Sequence, residues 1–167
     1  MFRCYHAVGH ALIHAEGNEI TPVLAICNTI QESTAREGCL YGAFMELSYL
    51  YFPEYHESAP RPDSTGVSLR PLCEKLSGEA AAFCGYFIGE SYLAGNSRNI
   101  SGAFEECSIA GDHQESCATR LGQISVSRIA TTEEKALSFC AQHAGSLAEA
   151  CVQGARKGRV SGFAPAD

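Results

Sequence analysis

Three histidines recur at every fourth position near the start of the sequence, at His6, His10 and His14. Residues four apart share one face of an α-helix. Two imidazoles at this spacing can bind one divalent metal ion, as in helical H-x-x-x-H sites. The spacing therefore predicts a site for a transition metal ion, with zinc, iron or copper as the candidates. The alternative is a polar stripe whose histidines cap, pack or form hydrogen bonds, and the sequence leaves it open.

Two glutamates are candidates to complete such a site, Glu46 and Glu90. Counted from the cysteine that opens each segment, His10 and Glu90 occupy the same position, and Glu46 lies one position further along its helix. We expect Glu46, the nearer carboxylate by sequence, as the third ligand; an exposed or helix-pairing glutamate is the alternative. Glu90 follows an apolar segment, so it is either buried with a partner or directed into a cavity. There it could serve, with Glu46, a second metal position or general acid–base chemistry.

The nine cysteines fall into two alternating sets, which open and close segments of similar sequence. The opening set is Cys4, Cys39, Cys84, Cys117 and Cys151, and the closing set is Cys27, Cys73, Cys107 and Cys140. The unit is about 33 to 35 residues long where it is uninterrupted, a length typical of helix–turn–helix repeats. The sequence thus predicts an all-α fold, an α-solenoid-like array of about four to five helical hairpins cross-linked by disulfides.

Local signals place the helices and the interruptions between them. The first helix is expected from Cys4 to Ala15, with a stop at Gly17 and Asn18. Thr21 is expected to cap the second helix with Pro22 at its first position, and Thr131 forms a capping-box pattern with Glu134. Residues 53–66 are rich in proline and polar side chains and are predicted as an inserted loop, and residues 158–167 as a flexible tail. The whole chain, residues 1–167, is predicted to form one domain that includes this loop and this tail.

Two regular pairings of the cysteines would cross-link helical hairpins. The first joins Cys27 with Cys39, Cys73 with Cys84, Cys107 with Cys117, and Cys140 with Cys151. The second joins Cys4 with Cys27, Cys39 with Cys73, Cys84 with Cys107, and Cys117 with Cys140. We favour the first, because its partners lie at nearly equal distances on either side of a predicted turn. It leaves Cys4 either as a free thiol, able to bind metal or react, or bonded to a segment outside this sequence.

Composition limits the partners and the compartment. A net charge of −7 argues against nucleic acid or an anionic membrane as the main partner, since both call for clustered lysine and arginine. No apolar run is long enough to span a membrane. Cysteines without close C-x-x-C pairs favour disulfides over zinc ribbons, and disulfides indicate an oxidising, extracytoplasmic location: periplasm, cell surface or extracellular space.

The stretches Cys4–His10 and Cys39–Glu46 carry a resemblance to a known group of proteins. The chain resembles uncharacterised exported bacterial proteins in which C-x-H-G-x-G-H is followed by C-x-x-G-x-F-M-E and further cysteine-opened helices. Ala7 stands where that pattern has glycine. The resemblance marks His6, His10 and Glu46 as the distinctive residues. In architecture the chain is also similar to disulfide-bridged Sel1-type or tetratricopeptide arrays, without their signature residues.

Two functions follow from these patterns. The first is a transition-metal-binding helical-repeat protein whose site is centred on His6, His10 and His14, with open coordination positions suited to hydrolytic or oxidative chemistry. The second is an interaction module or structural subunit that binds a peptide or protein partner on a concave face. Acidic charge, tyrosines and repeats fit both functions.

Overall fold

The computed structural model describes residues 1–50, 69–96, 99–126 and 132–160, and all regular structure within these ranges is helical. The α-helices are α1 (Phe2–Ala15), α2 (Ile20–Asn28), α3 (Ser33–Tyr49), α4 (Arg70–Cys73), α5 (Gly78–Gly95), α6 (Ile100–Ile109), α7 (Gln114–Ile124), α8 (Glu133–His143) and α9 (Ala148–Val160). The predicted all-α class is confirmed. The predicted loop 53–66 lies outside the described residues. Helix α9 includes the first three residues of the predicted tail 158–167, and residues 161–167 are outside the description.

The turn after α1 has the expected stop, but the next helix begins earlier than predicted. Gly17 and Asn18 both adopt positive φ, +64° and +71°, which reverses the chain. Helix α2 then starts at Ile20 and is preceded by Glu19 in an extended conformation, so Thr21 lies inside the helix instead of capping it. The helix thus begins two residues before the expected first position, Pro22; the physical reason is that Ile20 is buried and packs in the core as part of the helix.

The cap of α8 is also displaced by one residue. Thr132 is the N-cap, and its side-chain oxygen accepts a hydrogen bond from the Lys135 amide. The predicted cap, Thr131, lies outside the described residues. Two neighbouring threonines offer the same capping chemistry, so the sequence pattern alone does not choose between them.

Four disulfides join the described helices, and the described ranges include all nine cysteines. The pairs are Cys27–Cys39, Cys73–Cys84, Cys107–Cys117 and Cys140–Cys151, which are those favoured by the symmetry of the spacing. Their sequence separations of 10 to 12 residues close short loops, each contributing roughly 2 to 3 kcal/mol. Cys4 is exposed and free. These bonds are compatible with an oxidising extracytoplasmic location.

The odd-numbered helices pack against one another in chain order. Helix α1 packs on α3, α3 on α5, α5 on α7 and α7 on α9, and each of α2, α4, α6 and α8 packs on the helix that follows it. The disulfides cross-link these latter pairs. The core includes seven of the eight half-cystines, all but the partly buried Cys73, together with Phe44, Phe87 and Leu121. In the part of the chain that is described, no helix is long and apolar enough to cross a membrane.

The contact between α1 and α3 is close because glycines line it. A β-carbon at Gly9 would collide with the carbonyl oxygen of Cys39 and lie 2.7 Å from the amide nitrogen of Ala43. A β-carbon at Gly42 would collide with the carbonyl oxygen of His6. The two backbones therefore touch at the crossing. Glu46, one helical turn beyond Gly42, is brought against the histidine face of α1.

Candidate functional site

Glu46 of α3 lies between two histidines of α1. Its Oε2 atom is 2.5 Å from His10 Nδ1, and its Oε1 atom is 2.7 Å from His14 Nε2. Both imidazole nitrogens donate to the carboxylate, whose two oxygens are each held by a different ring. Glu46 lies one position beyond the residue of α3 that matches His10 in the repeat. It still contacts His10, because the glycines at the crossing let α1 and α3 approach closely.

A third histidine extends this cluster on the other side of His10. The Nε2 atoms of His6 and His10 are 2.8 Å apart, and their ring centroids are 4.7 Å apart. In the neutral His10 ring, a proton on Nδ1 directed at Glu46 makes Nε2 an acceptor, and His6 Nε2 then donates to it. The four side chains form one continuous series, which we call the His–Glu series: His14, Glu46, His10 and His6.

Burial increases from one end of the His–Glu series to its middle. The side chain of His14 is 49% exposed, that of His10 is 27% exposed and that of Glu46 is 8% exposed. Burial alone would favour the neutral carboxyl, but the hydrogen bonds and nearby charge of His10 and His14 outweigh it and hold the pKa of Glu46 below its usual value. The carboxylate is therefore ionised at neutral pH.

His6 is neutral at the same pH. Burial lowers the pKa of His6 below its ordinary 6.5, and the neighbouring His10 lowers it further. A neutral imidazole is the form that can bind a metal ion or accept a proton. The ring of His6 also packs edge-on against Tyr41 of α3, with centroids 5.3 Å apart. This aromatic contact limits the orientations available to His6.

Glu90 belongs to a different polar contact. It is fully buried and accepts two hydrogen bonds from Arg120 of α7, at 2.5 Å from Nε and 3.1 Å from Nη2. The guanidinium lies over the rings of Tyr86 and Phe87 at 5.8 and 5.2 Å. Burial opposes the charge on Arg120, but Glu90 outweighs it and raises the pKa of the guanidinium. Of the two expectations for Glu90, the structure thus shows the first, a buried carboxylate with a partner, Arg120.

Arg120, the partner of Glu90, was not predicted from the sequence. A readable signal exists, because Cys117, Arg120, Leu121 and Ile124 are spaced as the apolar stripe of one helix, and all four are buried. A charged side chain in such a stripe requires a buried partner of opposite charge. Glu90 is that partner.

The predicted ligands do not all converge on one point. Glu46 meets the Nδ1 side of the His10 ring, whereas His6 meets its Nε2 side. A metal ion between the two Nε2 atoms would therefore not also contact Glu46, which differs from the expectation of Glu46 as third ligand. Within residues 1–50, 69–96, 99–126 and 132–160, no group of three or more His, Cys, Asp or Glu side chains is arranged to hold a metal ion.

A scan against models of known protein families, a search of curated proteins and a search of solved structures each found no match to this chain. The function is therefore inferred from the geometry of the His–Glu series.

Proposed function

We propose that this protein binds a transition metal ion, zinc, iron or copper, through the Nε2 atoms of His6 and His10. The observation that carries the proposal is the convergence of these two atoms to 2.8 Å while the opposite nitrogen of His10 is held by Glu46. A histidine that binds metal with one nitrogen usually donates its other N–H to a carboxylate or carbonyl. Glu46 supplies that second interaction, so it supports the site without being a ligand.

Small changes would convert the hydrogen bond into a metal site. Two imidazole nitrogens on a tetrahedral ion with bonds of about 2.0–2.1 Å are about 3.3 Å apart, so the rings need to separate by about half an ångström. The proton on His6 Nε2 must also move, through solvent, to Nδ1 of the same ring, so that the imidazole stays neutral and Nε2 can bind the ion. The lowered pKa of His6 means that no second proton competes at neutral pH. Two protein ligands leave positions for water or a bound ligand, the arrangement that hydrolytic or oxidative metal chemistry requires.

The proposal includes the architecture and the compartment. In the proposed array the odd-numbered helices, each of which contains one of the opening cysteines, are the repeating units; their packing in chain order supports this, and the His–Glu series joins the first two of them, α1 and α3. Four disulfides support an extracytoplasmic location. There the metal site would be exposed to the metal ions of that compartment.

Elemental analysis tests the metal site directly. Protein purified without a metal-affinity tag is expected to hold a stoichiometric transition metal ion, and His10→Ala is expected to lose it. His143→Ala is the matched control, because it removes an imidazole at the end of α8 that has no part in the series. Wild-type protein that is correctly folded and takes up none of the three metals on dialysis would overturn the proposal.

A second candidate, a peptide- or protein-binding face, is favoured by a row of half-buried aromatic side chains. Tyr41 contacts His6 on one side and Phe83 and Tyr86 on the other, with ring centroids 5.3 to 6.1 Å apart. Aromatic rings of this kind are enriched in binding surfaces. Metal-free native protein that captures a partner, with capture lost in Tyr41→Ala and unchanged in His10→Ala, would favour this function over the first.

A further inference from the structure

We infer that His14 is a positioning residue for the metal site and not a ligand: it holds Glu46 in the orientation that fixes the tautomer of His10. The inference rests on the proposed metal site for its function. Its structural basis, the contact of His14 with the carboxylate, is independent of whether metal binds.

The first step is the geometry of the carboxylate. His14 Nε2 donates to Oε1 at 2.7 Å, and His10 Nδ1 donates to Oε2 at 2.5 Å. A carboxylate held at only one oxygen can rotate about its last bond with little cost, since this torsion is broad. Held at both oxygens by rings one helical turn apart on α1, it has one orientation. His14 therefore restricts the group that orients His10.

The second step is the tautomer of His10. A neutral imidazole has one proton, and its position is set by the hydrogen bond made by the other nitrogen. With Nδ1–H directed at Glu46, the lone pair of His10 Nε2 faces His6. The opposite tautomer would place a proton where the metal must bind. Loss of the second contact to Glu46 is thus expected to reduce metal affinity although His14 is not in contact with the ion.

The third step separates positioning from ligation. His14 Nε2 faces the carboxylate, while the two Nε2 atoms proposed as ligands meet on the far side of the His10 ring. The imidazole of His14 is also half exposed, as suits a group that gives a hydrogen bond from the rim of a site. A glutamine can give the same hydrogen bond through its amide but is a much poorer metal ligand than imidazole.

The test compares His14→Ala with His14→Gln, using His143→Ala as the matched control. In metal-free protein, ¹⁵N NMR of the imidazoles is expected to show His10 protonated at Nδ1 in the wild type, the control and His14→Gln. In His14→Ala, exchange of the Nδ1 proton with solvent is expected to be about tenfold faster, the effect of one lost hydrogen bond. Titration with zinc is expected to show affinity reduced about 10- to 100-fold in His14→Ala and largely restored in His14→Gln.

The outcomes distinguish the inference from the proposed function. An unchanged His10 proton in His14→Ala would overturn the positioning role. Loss of zinc in both His14 variants, as complete as in His10→Ala, would show that His14 is a ligand and would also overturn it. If the wild type binds no zinc, iron or copper, the proposed function fails, while the NMR comparison still decides whether His14 positions Glu46.

Discussion

Glu46 and Glu90 are both buried carboxylates, on the neighbouring helices α3 and α5, but they are neutralised in different ways. Glu90 is fully buried against one guanidinium, which is always charged and is covered by two aromatic rings. Glu46 is held by two imidazoles, each of which has two possible tautomers, and one of them is half exposed. The carboxylate of Glu90 is thus enclosed, whereas that of Glu46 contacts a half-exposed imidazole that solvent can reach.

The difference teaches how to separate structural polar groups from functional ones. A fixed, enclosed ion pair has no alternative state, and we expect the Glu90–Arg120 pair to specify how α5 and α7 pack. The His–Glu series has alternative tautomers and a half-exposed end, features that binding a metal ion or moving a proton would use. Burial of a carboxylate alone does not indicate function; the chemistry of its partners does.

The largest expected effect is at the enclosed pair. Replacing Arg120 with leucine removes the guanidinium that neutralises the buried charge of Glu90, and we expect the unfolding free energy to fall by about 3 to 5 kcal/mol. The measurement is chemical denaturation with the disulfides intact. The double variant Glu90→Leu, Arg120→Leu should recover much of this loss, because no charge is then stranded. A loss in Arg120→Leu no greater than in Arg36→Leu, a surface pair with Glu79, would contradict the structural role of the enclosed pair.

The spacing of the cysteines was sufficient to predict the fold class and the disulfides for a physical reason. Bonds between residues 10 to 12 apart depend on one turn and two helix ends, and local signals describe both. The shared face of the three histidines is equally local, since it follows from the helical period. Such features are determined within a single hairpin or helix.

The arrangement of the site could not be predicted, because it depends on contacts between helices. Which side of the His10 ring meets Glu46 is set by how closely α1 and α3 approach at Gly9 and Gly42, and by side-chain rotamers. The position of Glu46 in sequence indicated that it lies near His10, but not that its carboxylate contacts the Nδ1 side of that ring. Likewise the burial of Glu90 was foreseen as one alternative, while its partner lies 30 residues away on another helix.

A smaller loss of unfolding free energy is expected at two glycine contacts between helices, and only one of them should affect the surroundings of Glu46. Gly42→Ala and Gly154→Ala each place a methyl group against a backbone carbonyl, of His6 and of Thr119 respectively. Each is expected to cost roughly 1 to 3 kcal/mol of unfolding free energy as the helices move apart. Only Gly42→Ala should alter the Nδ1 proton of His10 in imidazole NMR. The same spectral change in Gly154→Ala would mean that the Glu46 contact does not depend on the local crossing of α1 and α3.

The smallest expected effect is the response of Glu46 to acid. Its pKa in the folded protein lies below the usual 4.5, so the ionised form stabilises the fold above that pH, and this contribution is lost as pH falls through the folded pKa. With a chelator present, the unfolding free energy of Glu46→Gln should therefore fall less than that of the wild type between neutral and acidic pH.

Glu79→Gln is the matched control, because the pKa of Glu79 is also lowered, by Arg36, but at an exposed position. In about 1 M sodium chloride, where the Debye length is about 3 Å, the exposed contribution of Glu79 should vanish and that of Glu46 persist. If salt abolishes the pH-dependent contributions of both Glu46 and Glu79, the contacts of Glu46 behave as an ordinary surface ion pair does.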